Sequence, residues 1–158
     1  MEITFRSDTV HATIRGSDRS SSNADERGWA RMGTDEQQPK LDDLTATIIG
    51  AAFAVSNTLG HGFLEIIYKN ALAEELQAQG LAVAKERPYP VFYRDKQMGH
   101  YVADIVVEDR VIVELKAVDD LVPAHRAQLL NYLKASNVPI GLLFNFGKPK
   151  IQIKRIIL

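Results

Sequence analysis

Two acids and a lysine in the middle of the chain are the residues best placed to do chemistry. Asp104 stands in the run Tyr101 to Val107, and Glu114 and Lys116 stand in the run that begins at Val111. Both runs are rich in valine and isoleucine and favour strands. Strand register decides whether the acids meet. A two-residue turn at Asp109-Arg110 sets Asp104 opposite Leu115 and sends the acids to opposite faces. A three-residue connection, Glu108-Asp109-Arg110, sets Asp104 opposite Glu114 instead. The apolar pattern selects the second register. One face then collects Tyr101, Ala103, Ile105 and Val107 with Val111, Val113, Leu115 and Ala117, and the other Val102, Asp104, Val106, Ile112, Glu114 and Lys116. The alternative mixes both faces, because a one-residue slip flips every side chain. Facing carboxylates, with β-carbons about 5 Å apart, repel each other, and a cation between them relieves the repulsion. Oxygen donors without cysteine favour a hard divalent ion, Mg²⁺ or Mn²⁺. Lys116, two residues beyond Glu114 on the same face, can donate to a bound water or a phosphate oxygen. The plain alternative is a Glu114–Lys116 ion pair flanked by exposed charge.

The elements that must position this hairpin follow from periodicity. Leu41, Leu44, Ile48, Ala52 and Val55 predict a helix over 41–57, with Asp42 and Asp43 in a first turn that suits acidic charge. Gly60-His61-Gly62 interrupts it. A second helix over 63–79 carries Leu64, Ile67, Tyr68, Ala71, Leu72 and Leu76 on one side and stops at Gly80. Strands are expected at 82–93, 98–107 and 111–118, the first at a sheet edge because of Pro88 and Pro90. A helix over 123–136 opens on Pro123, with Ala127, Leu130 and Leu133 facing inward. A buried strand at 139–145 and a last strand at 150–157 complete the order α-α-β-β-β-α-β-β. The economical packing is a mixed α/β (α+β) sheet flanked by helices.

Composition limits the classes of function. The chain has 158 residues, no cysteine, and 19 basic against 20 acidic residues. Disulfide scaffolds and thiolate chemistry are thereby excluded, and nucleic-acid contact must come from a local patch rather than from net charge. No apolar run approaches the roughly 18 residues of a membrane span, and no leader stretch is evident, so the expected compartment is the cytoplasm. The first 40 residues hold ten apolar residues, whereas the following 118 hold 62. Residues 1–40 therefore read as a disordered or loosely attached polar tail, with Phe5 and Trp29 its candidates for docking and Met32 an alternative translation start. Residues 41–158 read as the domain.

Asp on one strand and Glu-X-Lys on the next, between two helices, resembles the PD-(D/E)XK nuclease superfamily, whose αβββαβ core residues 63–145 reproduce. Gly62-Phe63-Leu64-Glu65-Ile66-Ile67-Tyr68 is similar to the motif of the GxxExxY family within it, and Asn145-Phe146-Gly147 and Lys154-Arg155-Ile156 extend the likeness. Residue 103 is Ala where the superfamily name has Pro. The resemblance implies that Asp104 and Glu114 bind metal, that Lys116 is the catalytic lysine, and that Glu65 is an additional acid able to complete the metal shell. It implies that Gln128 and Tyr132 organise the site or contact DNA. On residue type alone, Glu65 is a first-turn acid sharing a helix face with Tyr68, and Gln128 and Tyr132 are a hydrogen-bonded helix surface. Tyr68 joins these as a candidate site-organising residue. His125 is a candidate phosphate or proton-transfer group, or simply polar surface.

The first functional expectation is thus a Mg²⁺- or Mn²⁺-dependent nuclease acting on nucleic acid, DNA foremost. The second is a nuclease-like domain that binds nucleic acid or a protein partner without cleavage, since fold does not imply function. A homodimer joined through the sheet edge is a third. Lys148, Lys150, Lys154 and Arg155 cluster near the last strand and are candidate phosphate contacts, or edge charges that deter strand pairing.

Overall fold

The computed structural model describes residues 40–158. The expected tail, with Phe5, Trp29 and Met32, lies outside the described residues. Eight elements follow in the expected order: α1 (Leu41–Leu59), α2 (Glu65–Ala78), β1 (Val83–Tyr93), β2 (Lys96–Val107), β3 (Val111–Lys116), α3 (Pro123–Ser136), β4 (Ile140–Asn145) and β5 (Gln152–Ile157). The five strands form one sheet in the order β1-β2-β3-β4-β5. Neighbours are antiparallel except β3 and β4, which are parallel and joined through α3. β1 is an edge strand, where Pro88 and Pro90 are tolerated for want of an N–H.

α1 and α2 cover one face of the sheet. Leu44, Ile48, Ala51, Ala52 and Val55 of α1 and Tyr68, Leu72, Ala73 and Leu76 of α2 pack on Ile105, Val107, Val111, Val113, Leu115, Leu142 and Phe144. The buried stripe of α2 is narrower than its apolar residues suggest: Leu64 and Ile67 are exposed. They sit before or beside the line Tyr68–Leu72–Leu76 that meets the sheet. α3 covers the other face, with Leu129, Tyr132 and Leu133 against Ala103, Val106, Ile112, Leu143 and Ile156. Ala127, expected inward, is exposed, and Leu130 is only half-buried, because α3 is rotated to turn Tyr132 toward the sheet.

The β2–β3 connection is the three-residue one. Val107 pairs with Val111, Val106 with Ile112 and Ile105 with Val113, and Glu108 and Asp109 both take left-handed backbone angles to close it. The alternation expected along β2 holds only up to this point. Ala103 lies in the cluster beneath α3, with Tyr101 packed against it, and not on the face of Ile105 and Val107. The break falls at Asp104. Opposite it on β1, Lys85 pairs with Ile105 and Arg87 with Ala103, while Glu86 between them leaves the ladder with φ 54°. β2 and β3 cease to pair at the same place, so the sheet splits beside the two acids.

Candidate active site

The end of β3 carrying Glu114 and Lys116 is fixed by its other neighbour. β3 pairs with β4 along its whole length, Glu114 with Leu143 and Lys116 with Asn145. The Phe146 N–H donates to the Lys116 carbonyl at 2.8 Å. Asn145, fully buried, accepts the Val118 and Gly147 N–H groups at 3.0 Å and donates to the Val118 carbonyl and to Gln152 at 2.8 Å. A Cβ on Gly147 would run into the Val118 backbone, so glycine is required there for the close approach. The sequence marks Asn145-Phe146-Gly147 only as part of the family likeness; that Asn145 is an amide staple shows in the structure alone.

On the free side, where β2 has left, Asp104 fills the gap with its side chain. Its Oδ2 accepts the Leu115 N–H at 3.0 Å, a backbone donor that strand pairing would otherwise use. Its Oδ1 lies 3.5 Å from Lys69 Nζ of α2, which also donates to Glu86 Oε1 at 3.1 Å. Lys69 went unnoticed in the sequence; it stands one helical turn after Glu65 and so shares its face. Burial works to lower the Lys69 pKa, but its bonds to Glu86 and Asp104 outweigh that and hold it above the ordinary lysine value.

Glu114 is the most unusual group of the site. Its side chain is 4 % exposed, Lys116 Nζ donates to its Oε1 at 3.2 Å, and its buried Oε2 has no hydrogen-bond partner. Burial pushes its pKa up to about 7, the negative charges of Asp104 and Glu65 push the same way, and Lys116 opposes them. Asp104, Lys116 and, most weakly, Glu65 therefore all bear on the charge of Glu114. Tyr132 of α3 completes this side. Its hydroxyl accepts from Gln128 Nε2 at 2.9 Å and its ring meets Tyr101 edge-on at 4.9 Å. Burial, followed by the charge of Glu114, pushes its pKa up to about 12, so the phenol stays a hydrogen-bond donor.

Glu65 begins α2, and Tyr68 sets how that helix begins. Fully buried, Tyr68 donates its hydroxyl proton to the Gly60 carbonyl at 2.9 Å and accepts the Phe63 N–H at 3.2 Å, while Gly62 turns the loop with φ 103°. Its ring stacks on Phe146 at 4.6 Å. Tyr68 thus organises the loop before Glu65 and ties α2 to the strand ends, and it is not placed to touch a substrate. His125 is a helix cap: its Nδ1 accepts the Val122 N–H at 3.2 Å. Of the expected phosphate contacts, Lys148 is ion-paired with Asp120 and Arg155 with Asp42, while Lys150 and Lys154 are exposed.

A model of the PD-(D/E)XK nuclease superfamily matches residues 42–156, a span that includes every residue of the site. The chain belongs to this superfamily. Its mixed five-stranded sheet with flanking helices is the superfamily's nuclease-like α+β fold. Among solved structures, the crystal structure of SSO0001 is similar, with 20% sequence identity and a TM-score of 0.48 over 73% of this chain and 58% of that one. This chain thus spans 58% of that chain's length. No curated protein matches it. No helix among the described residues is long and apolar enough to cross a membrane.

Superfamily nucleases typically use divalent metals, and the donor set can be tested against such an ion. Among the described residues, no three histidine or acidic side chains are already gathered into a cation cage. A pair does fit: the partnerless, buried Glu114 Oε2 beside Asp104 is an acceptor with nothing to accept from, and both donors are hard oxygens suited to Mg²⁺ or Mn²⁺.

Proposed function

We propose that this nuclease-superfamily domain hydrolyses phosphodiester bonds in DNA, in the cytoplasm, with Mg²⁺ or Mn²⁺ held by Asp104 and Glu114 and with Glu65 adding negative charge beside them. The observation that carries the reading is the buried, unpartnered Oε2 of Glu114 between one acid and one lysine. An unsatisfied buried acceptor carries the full cost of its desolvation, and a cation held there would remove that cost. When bound, the cation supplies Lewis-acid polarisation of the phosphate and a more acidic water.

The chain's own groups do the rest. Lys116 spends one of its three donors on Glu114, which leaves others for the attacking water and a non-bridging phosphoryl oxygen. Tyr132, kept protonated chiefly by burial and oriented by the Gln128 amide, donates from the α3 side. Gly62, Glu65 and Tyr68 support placement in the GxxExxY branch on physical grounds: the turn, the acid it delivers and the anchor that holds both. Should a second copy pair through the sheet, β5 is the edge with a full set of N–H groups, since β1 carries Pro88 and Pro90.

The test is a Mn²⁺ nuclease assay on single- and double-stranded DNA, wild type beside Lys116→Ala. Loss of one preorganised transition-state donor should lower cleavage by a factor on the order of 10² with substrate affinity nearly unchanged. Equal trace cleavage in both samples marks a contaminant and favours the non-cleaving binder.

A further inference from the structure

We propose that Lys69 is a built-in, displaceable cation: it holds the Asp104 carboxylate in the metal-free protein and passes to Glu86 when a divalent ion binds. The inference rests on the reading of Asp104 and Glu114 as a cation site. Three observations lead to it. Lys69 Nζ is shared by two carboxylates, 3.1 Å from Glu86 Oε1 and 3.5 Å from Asp104 Oδ1. Those two acids stand opposite each other at the gap in the β1–β2 ladder, between the pairs Lys85–Ile105 and Arg87–Ala103. Glu86 reaches the ammonium from a left-handed backbone, φ 54°, a conformation uncommon for a non-glycine residue inside a strand.

The burial pattern explains the direction of transfer. The Lys69 and Asp104 side chains are 12% and 14% exposed, whereas Glu86 is 63% exposed. The inner carboxylate is the one a metal would need, and the outer one is a partner the lysine can keep in either state. Asp104 Oδ2 stays on the Leu115 N–H throughout, so only Oδ1 changes its cation. Lys69 would then oppose metal entry and keep the two acids from repelling each other before it. An ion pair serving stability alone would need only one of the two carboxylates, and no departure from the strand ladder.

Calorimetric titration of Mn²⁺ into the full-length wild type, Lys69→Met, Glu86→Gln and the double variant tests this. Lys69→Met should bind Mn²⁺ about tenfold or more tightly, since no resident cation must be displaced. Glu86→Gln should bind it more weakly, because the lysine has lost its alternative partner, and this effect should vanish in the double variant. Lys85→Met removes a charge next to Glu86 on β1, from a lysine whose ammonium donates to Asn70 instead, and should change affinity by no more than about twofold under physiological screening. If Lys69→Met binds no more tightly than wild type, or if the effects of Lys69→Met and Glu86→Gln simply add, the displacement is refuted while the metal site stands. If wild type binds no Mn²⁺ but Lys69→Met does, the lysine's role stands and the metal-dependent reading of the native protein fails. If neither binds while both melt cooperatively, both fall. Lys69→Gln replaces Lys69→Met if the latter does not fold.

Discussion

Glu114→Gln offers a direct test of the site's electrostatics without any substrate. In the metal-free protein the Glu114 pKa is raised from 4.5 to about 7, chiefly by burial and then by Asp104. A carboxyl group whose folded pKa lies above its unfolded value contributes nothing unfavourable below pH 4.5. It destabilises progressively as pH rises through 7, because the unfolded chain releases the proton first. At about 1.4 kcal/mol per pH unit, a shift of this size amounts to about 3 kcal/mol once the pH is well above 7. The glutamine cannot ionise and does not incur that loss. It keeps an unpartnered polar group in the same place, at a cost of about 1 kcal/mol or more that does not vary with pH. The informative quantity is therefore the difference between two pH values, in which constant terms cancel. Urea unfolding followed by circular dichroism, in EDTA at pH 5 and pH 8.5, should show the variant gaining about 2.5 kcal/mol on wild type between them, since a little of the loss is already present at pH 5. Added Mn²⁺ should reverse the order at pH 8.5 by favouring ionised Glu114 in the wild type alone. Parallel pH profiles for the two proteins would show that Glu114 is ionised at no cost, and the argument from its orphaned oxygen would fail with it.

Further outcomes follow from the same geometry. Asp104→Asn keeps an acceptor for the Leu115 N–H and should hold apo stability near wild type. Asp104→Ala exposes that donor's lack of a partner and should cost about 1–3 kcal/mol in urea unfolding; both should abolish stabilisation by Mn²⁺. Tyr68→Phe removes the bonds to Gly60 and Phe63 and should cost about 1–2 kcal/mol. In that variant, amide exchange should accelerate in residues 60–65. Lys150→Glu, at an exposed position, should weaken DNA binding and lower the salt slope by about one unit if it meets a phosphate; an unchanged slope assigns it to edge protection.

The hairpin register was legible because, of the two connections, only the one through Glu108-Asp109-Arg110 keeps the charged positions of both strands off a common apolar face. Element order was legible for similar reasons, since the period changes from near four to two after Gly80 and back at Pro123. The rotation of α2 and α3 was not. Leu64 and Ile67 satisfy the helical period but lie outside the stripe that meets the sheet, and which apolar line is buried depends on the partner surface rather than on the helix.

At the site, residue types carried the information and contacts did not. Asp104, Glu114 and Lys116 are identifiable as chemistry because charged groups inside a valine-rich hairpin are costly unless partnered. What partners them lies far away in sequence: Lys69 is 35 residues from Asp104, and the gap that lets them meet depends on the backbone of Glu86 on a third element. A pattern of twos and fours describes each strand or helix by itself, so a departure imposed by a neighbour leaves no trace in it. The split between β2 and β3 is such a departure, and the site depends on it. With regular pairing the Leu115 N–H would be directed to the backbone of β2. Because β2 turns away, that donor is met by the Asp104 carboxylate, which fixes one oxygen and leaves the other to bind a cation, whether the ammonium of Lys69 or a metal.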